Sequence, residues 1–137
     1  MRLSATEVVP APRAEVWAIL AEPLHLPDWW PGLYAVEPDR RGFAPGARWG
    51  AVAARRNPFF GRRRVDTALL IRDVENYERW TWHLVSEHLD VEVRLRALGE
   101  HDTEVTVTTS RGRAAQAAVA RLRELVLTLR RYSRPRP

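Results

Sequence analysis

Six segments of the chain predict β-strands, and the later ones alternate apolar with polar residues, the two-residue period of strands that are buried on one face only. They span approximately residues 33–39, 47–54, 63–74, 78–86, 89–98 and 103–110. Residues 2–9 alternate more loosely and predict a first strand before them. The turns that join the six segments are too short to hold crossover helices. The pattern therefore predicts one antiparallel sheet in which consecutive strands are neighbours.

Three further segments have helical periodicity. Pro12 suits the first turn of a helix over residues 14–21, and residues 24–30 predict a second short helix that ends at Pro31. The last segment, 112–132, is the clearest, because its apolar side chains fall within about 60° of Leu122 at 100° per residue. These side chains are Ala115, Ala118, Val119, Leu125, Val126 and Leu129. At 1.5 Å per residue the helix is about 30 Å long and could cross the whole sheet.

The order of these elements predicts an α+β fold. Its parts are a curved antiparallel seven-stranded sheet, two short helices and one long C-terminal helix that the sheet grips. We expect residues 1–132 to form a single domain and residues 133–137 to form a basic, proline-rich, frayed tail.

The first half of the terminal helix is rich in alanine, and its bulky side chains begin only at Leu122. A helix laid across a strongly curved sheet contacts the ends of the sheet more readily than its middle. The small residues therefore predict a cavity near the N-terminal half of this helix. We predict that ligand contacts come from Trp30, Trp49, Phe60, Leu69, Ile71, Trp80, Trp82, Val93, Leu95, Val107, Ala118 and Leu122. A packed core uses the same residue types, so core packing alone is the competing interpretation.

Composition is that of one globular domain: 137 residues, 45% hydrophobic and 28% charged. The absence of cysteine excludes disulfides, thiolate metal sites and a cysteine nucleophile. No apolar run approaches the roughly 20 residues that span a bilayer. The first residues lack the apolar core of a secretory signal, so we expect a cytoplasmic protein.

Arginine carries all the positive charge behind the net charge of +5. Residues 111–137 hold eight Arg and one acid, whereas residues 1–110 hold 14 Arg and 16 acids. A second basic cluster, Arg55, Arg56, Arg62, Arg63 and Arg64, brackets a turn with two phenylalanines. Since no nucleic-acid motif accompanies these charges, we expect no nucleic-acid partner. For Phe59 and Phe60 three roles stay open: covering the pocket mouth, docking on a partner or membrane surface, or capping the sheet edge.

Two motifs near the N-terminus resemble the opening of START-like (SRPBCC) proteins, with the polyketide cyclase/dehydrase branch the most similar. They are VVPAPRAEVW at residues 8–17 and LPDWWPG at residues 26–32. ERWTW at 78–82, TEVTV at 103–107 and the terminal helix lie where that superfamily has its later strands and long helix. The resemblance implies a helix-grip fold that holds a hydrophobic small molecule and, in some members, performs cyclisation, dehydration or hydrolysis. It implies no shared catalytic set.

Few side chains suit acid–base chemistry. His83 alternates with Trp80 and Trp82 and is predicted to face away from the core. Better candidates are Arg64, Asp66 and Tyr77, although an exposed cross-strand ion pair is the simpler interpretation of the charged ones. His83, His88 and Asp90 match no known metal-ligand spacing, and phosphate-loop, dinucleotide and nucleophile-elbow motifs are absent. We therefore predict no metal or cofactor and name no catalytic residue.

The leading hypothesis is a domain that binds a hydrophobic small molecule, such as a polyketide, a lipid or an aromatic metabolite. A polyketide cyclase or dehydratase is the competing hypothesis, because positioning in a shaped pocket supplies much of the rate of such reactions. A third is a protein-interaction module that uses the basic helix or the Phe59-Phe60 loop. Peripheral membrane contact and the oligomeric state stay open.

Overall fold

The structure is a computed structural model that describes residues 3–57, 59 and 61–133. The strands of its sheet are β1 (Leu3–Val9), β2 (Leu33–Glu37), β3 (Arg48–Asn57), β4 (Gly61–Glu75), β5 (Arg79–Leu84), β6 (Leu89–Leu98) and β7 (Asp102–Thr109). The α-helices are α1 (Arg13–Leu20), α2 (Leu26–Trp29) and α3 (Ala114–Ser133). Single 3-10 turns cover Pro23–His25 and Val85–Glu87. The predicted α+β fold, with its seven-stranded sheet and long C-terminal helix, is confirmed.

All neighbouring strands run antiparallel, in the order β1-β7-β6-β5-β4-β3-β2. From β2 to β7 consecutive strands are neighbours, as their short connections predict. β1 instead pairs with β7, because α1 and α2 carry the chain from β1 to the opposite edge of the sheet. Register shifts at Ile71/Asp73 in β4 and Leu33/Ala35 in β2 mark irregularities of the kind that bend a sheet.

Several element boundaries differ from the sequence prediction. β3 and β4 pair as far as Asn57 and Gly61, beyond the predicted limits, because the arginine-rich stretch there has no apolar alternation to signal a strand. α3 begins at Ala114 rather than at residue 112. The reason is Gly112, whose φ of +78° lies in the left-handed region and interrupts helical geometry.

One face of the sheet is apolar and covered by the helices. Alternate residues of β5, β6 and β7 are buried there, and α3 packs its apolar stripe across β1, β7 and α2. From α3, Arg123 donates a hydrogen bond to the Val8 carbonyl and Arg130 to the Pro10 carbonyl. These two arginines therefore anchor the helix to the edge strand, so part of the basic helix serves the fold.

The opposite face of the sheet is a polar ladder exposed to solvent. Thr108 bonds Ser4 at 2.8 Å, and Arg96 pairs with Glu104 at 2.9 Å. This guanidinium lowers the pKa of the Glu104 carboxyl. His83 lies here too, 2.8 Å from an Asp90 carboxylate oxygen. It therefore faces away from the core, as its alternation with Trp80 and Trp82 predicts.

Thr103 and Thr109 are the buried polar residues among those that the structure describes. The Thr103 hydroxyl donates to the Ala11 carbonyl at 2.7 Å and so ties β7 to the loop that enters α1. Ala11 is itself fully buried, which leaves its carbonyl dependent on this bond.

We predict that Thr103→Val lowers the free energy of unfolding by about 1–3 kcal/mol, because it leaves the buried Ala11 carbonyl without a donor. Urea unfolding followed by circular dichroism measures the change. Thr106→Val, on the same strand but on the polar face, is the matched control and should change stability by less than about 0.5 kcal/mol. Equal losses in the two variants would show that the buried hydrogen bond contributes no more to stability than the exposed hydroxyl does.

Candidate functional site

Five of the six tryptophans contact one another between the sheet and the helices, and Trp17 joins them through Phe43. This tryptophan cluster consists of Trp17, Trp29, Trp30, Trp49, Trp80 and Trp82. Trp80 lies at its centre, with its ring centroid 5.8 Å from Trp82, 6.2 Å from Trp49 and 6.3 Å from Trp29. Most of the contacts are tilted or edge-to-face, the geometries that aromatic pairs prefer.

The local structure of each element explains how these rings meet. Trp80 and Trp82 alternate on β5 and so share its inner face, next to Trp49 of β3 across the intervening strand β4. Trp29 ends α2, and Trp30 caps that helix with extended backbone geometry. The change of backbone direction between them places the two rings edge-to-face, 6.1 Å apart, with Trp30 4.8 Å from Trp82.

Three side chains of the cluster have a buried hydrogen-bond donor with no acceptor. The indole Nε1 atoms of Trp29, Trp80 and Trp82 are inaccessible to solvent and lack a partner among the described residues. Trp49 differs, since its Nε1 donates to the Gly42 carbonyl at 2.8 Å. An unsatisfied buried donor costs about 1–3 kcal/mol, and such groups in native proteins usually have a protein, water or ligand partner. The cluster therefore offers neighbouring donors to an acceptor that the protein does not supply.

The loop before β3 closes over the cluster. Its Phe43 ring lies 4.7 Å from Trp80 and 5.7 Å from Trp17, and the side chain is only half-buried. The Asp39 carboxylate holds the loop by accepting the backbone N–H groups of Arg48 at 3.0 Å and Arg41 at 2.9 Å. These bonds, the one from Arg48 above all, lower the Asp39 pKa below its ordinary value of 3.8.

The alanine-rich half of α3 borders open space, but against β1 rather than over the cluster. A groove of about 530 Å³ runs between the two elements. Its lining is mixed, with apolar residues such as Ala115 and Val119 beside polar ones such as Glu7, Arg113 and Gln116. Of the twelve predicted ligand-contacting residues, the eleven that the structure describes do not border this groove.

Eleven of those twelve residues lie in the buried core, on the inward faces of their elements. The twelfth, Phe60, lies outside the described residues. Buried placement is compatible with both a pocket wall and a core, and the contact of these residues with a ligand stays a prediction. Sequence reasoning omitted Trp17, Trp29 and Phe43. Trp29 stands in the quoted LPDWWPG motif, whereas Phe43 lies in an aperiodic loop that gives no signal.

The polar candidates lie outside this interior. Arg64 and Asp66 are exposed, and the Arg64 guanidinium lies 4.3 Å from the centre of the Tyr34 ring. Tyr77 is half-exposed in a turn, where its ring reaches Trp17 at 6.3 Å. Within the described part of the chain, no group of three or more His, Asp or Glu residues is arranged to hold a metal ion.

No protein-family model matches this chain, and no curated protein matches it significantly. Solved structures, in contrast, match almost its whole length. A protein from Nitrosomonas europaea has a TM-score of 0.70 at 16% identity, covering 96% of this chain and 97% of its own. The AHSA1-like protein of Aeromonas hydrophila has 0.69 at 15% identity, covering 100% and 99%. A Thalictrum norcoclaurine synthase mutant, solved with a transition-state analogue, has 0.68 at 15%, covering 95% and 96%.

These similarities establish the fold class. The chain has a helix-grip fold, the fold that the resemblance of its sequence motifs implies. Among the described residues, no helix combines the length and the apolar character that crossing a bilayer requires.

Because the folded-state pKa of Asp39 lies below 3.8, its ionised carboxylate stabilises the fold above that pH, and the contribution disappears as pH falls through the lowered pKa. We predict that Asp39→Asn is less stable than the wild type at pH 6 and that the difference shrinks toward pH 2.5. Urea unfolding midpoints across this range measure it. Glu100→Gln, in an exposed turn, is the control and should show no such convergence. A stability difference independent of pH would contradict the assignment.

Proposed function

We propose that this protein binds an uncharged, oxygen-bearing aromatic or polyketide-like molecule at the tryptophan cluster, in the interior between the sheet and the helices. The observation that carries the proposal is the set of three partnerless indole donors, on Trp29, Trp80 and Trp82, inside an otherwise apolar interior. A carbonyl, ether or phenolic oxygen of a ligand would accept from them, and its rings would stack within the tryptophan cluster.

The chemistry of the interior supports a neutral ligand. No Asp, Glu, His or Arg is buried among the described residues, so an ionised ligand group would lack a counter-charge there. Phe43 is half-buried and covers Trp80, so displacement of its loop would open the cluster to solvent. The synthase of the same fold that was solved with a transition-state analogue supports the proposal of a small-molecule site.

The lack of buried ionisable side chains in the described interior favours binding over acid–base catalysis. A general acid or base must reach the bound molecule with a suitable pKa, and the described interior supplies hydroxyl and indole donors only. The cyclase or dehydratase hypothesis therefore has no observation of its own in this structure. The proposal is for a carrier or sensor of such molecules.

The test uses two ligands of nearly the same shape, 1-acetylnaphthalene and 1-ethylnaphthalene, of which only the first has a strong hydrogen-bond acceptor. We predict that the wild type binds the ketone more tightly. Trp80→Phe keeps an aromatic ring but removes the donor, so it should weaken ketone binding about fivefold and leave hydrocarbon binding nearly unchanged. Isothermal titration calorimetry gives both affinities.

Trp17→Phe is the matched control, since Trp17 is not among the partnerless donors, and it should preserve the preference for the ketone. Trp82→Phe provides a second test should Trp80→Phe unfold. Equal affinity of the wild type for both ligands would refute the role of the donors. Failure to bind either ligand, together with no co-purified molecule in native mass spectrometry, would refute the binding function itself.

A further inference from the structure

The β3–β4 hairpin continues well beyond the core. Ala53 is the last buried residue of β3, and beyond its partner Val65 the two strands pair through four more positions to Asn57 and Gly61. At about 3.4 Å per residue, this extension is about 13 Å long. Isolated two-stranded hairpins are only marginally stable, so the extension contributes little to the fold by itself.

The extension is strongly basic on both of its faces. Residues 54–65 contain five Arg and no acid. Arg55 lies directly opposite Arg63 in the register, on the face opposite to that of Arg62 and Arg64. Like charges at opposed positions destabilise an antiparallel pair, so this arrangement has a cost in the isolated protein.

On β5 and β6, the arginines are neutralised by acids. Arg79, Arg94 and Arg96 all lie within 3.6 Å of a glutamate carboxylate. In the described part of the hairpin, by contrast, Arg55, Arg62, Arg63 and Arg64 take part in no ion pair. Four arginines without an acidic partner are therefore gathered along one projecting end of the sheet.

An apolar ring lies at that end. Phe59, in the turn between the strands, is 87% exposed, the largest exposed fraction among the large hydrophobic residues described. An aromatic side chain with arginines behind it on both faces matches the boundary of an anionic bilayer. There the ring enters the headgroup region, while guanidinium groups bind lipid phosphates. A flat surface that meets the tip end-on reaches both faces, whereas a nucleic-acid strand along one face would reach only half of these charges.

We propose that the tip of the β3–β4 hairpin, formed by Phe59 with Arg55, Arg62 and Arg63, docks end-on onto anionic phospholipid bilayers. This docking does not depend on the proposed ligand site, since it uses residues outside the tryptophan cluster. It assigns a role to Phe59, the described phenylalanine of the turn. It also explains why the opposed arginines are tolerated, because lipid phosphates offset their repulsion.

Co-sedimentation with vesicles tests the proposal. The wild type should bind vesicles of equal parts phosphatidylglycerol and phosphatidylcholine, should not bind phosphatidylcholine alone, and should dissociate as sodium chloride screens the charges. Arg62→Glu with Arg63→Glu should reduce binding at least about tenfold, because each basic residue near the surface contributes roughly fivefold. Phe59→Ala should reduce it several-fold while preserving the salt dependence.

Two control variants isolate the tip. Arg40→Glu with Arg111→Glu makes the same change in net charge at exposed positions elsewhere, and Tyr132→Ala removes an 83% exposed aromatic ring from α3. Both should bind like the wild type, and unfolding midpoints confirm that every variant is folded. Absence of wild-type binding to the anionic vesicles would overturn the proposal, as would equal losses in the charge-matched control. Binding to a single-stranded oligonucleotide without binding to vesicles would assign the tip to nucleic acid instead.

Discussion

Aromatic packing between the curved sheet and the helices determines how the rest of the molecule is arranged. The apolar face of the sheet must be covered, yet α3 contacts it mainly along β1 and β7. The space over β3 and β5 is filled instead by indole rings from α1, α2 and the strands themselves. Large rigid rings fill such a volume at a small cost in side-chain entropy, which is how a domain of this size completes its core.

Filling a core with indoles has a consequence that aliphatic side chains would avoid. Every tryptophan brings an N–H group that loses water on burial. Trp49 recovers a hydrogen bond because the loop held by Asp39 presents the Gly42 carbonyl to it. Trp29, Trp80 and Trp82 find no such partner among the described residues. Burial of these donors costs free energy in the unbound protein. A hydrogen bond to an oxygen-bearing ligand would recover that cost on binding.

On the solvent-exposed face of the sheet, many polar and charged side chains are paired with one another. Cross-strand ion pairs and hydroxyl pairs neutralise the polar face of the sheet, and two arginines of α3 are bound to carbonyls at its edge. The hairpin extension is an exception, because Arg55 and Arg63 lie opposite one another there. Stability is therefore concentrated in the core, and the segment that contributes least to it carries the most concentrated charge. Such separation is common where a rigid scaffold presents an interaction surface.

Local sequence determined the elements and their faces. Two-residue alternation identified the later strands, and the helical stripe around Leu122 identified α3. The short turns set the strand order from β2 to β7. Each of these features depends on residues near one another in the chain. Three features were decided only by tertiary structure: the pairing of β1 with β7, the loop that brings Phe43 onto Trp80, and the open groove of α3 against β1 rather than over the tryptophans. Each depends on contacts between segments far apart in sequence. Whether a buried indole finds an acceptor depends on them too, so the sequence could place Trp49 and Trp80 on one face but could not distinguish the satisfied donor from the unsatisfied one.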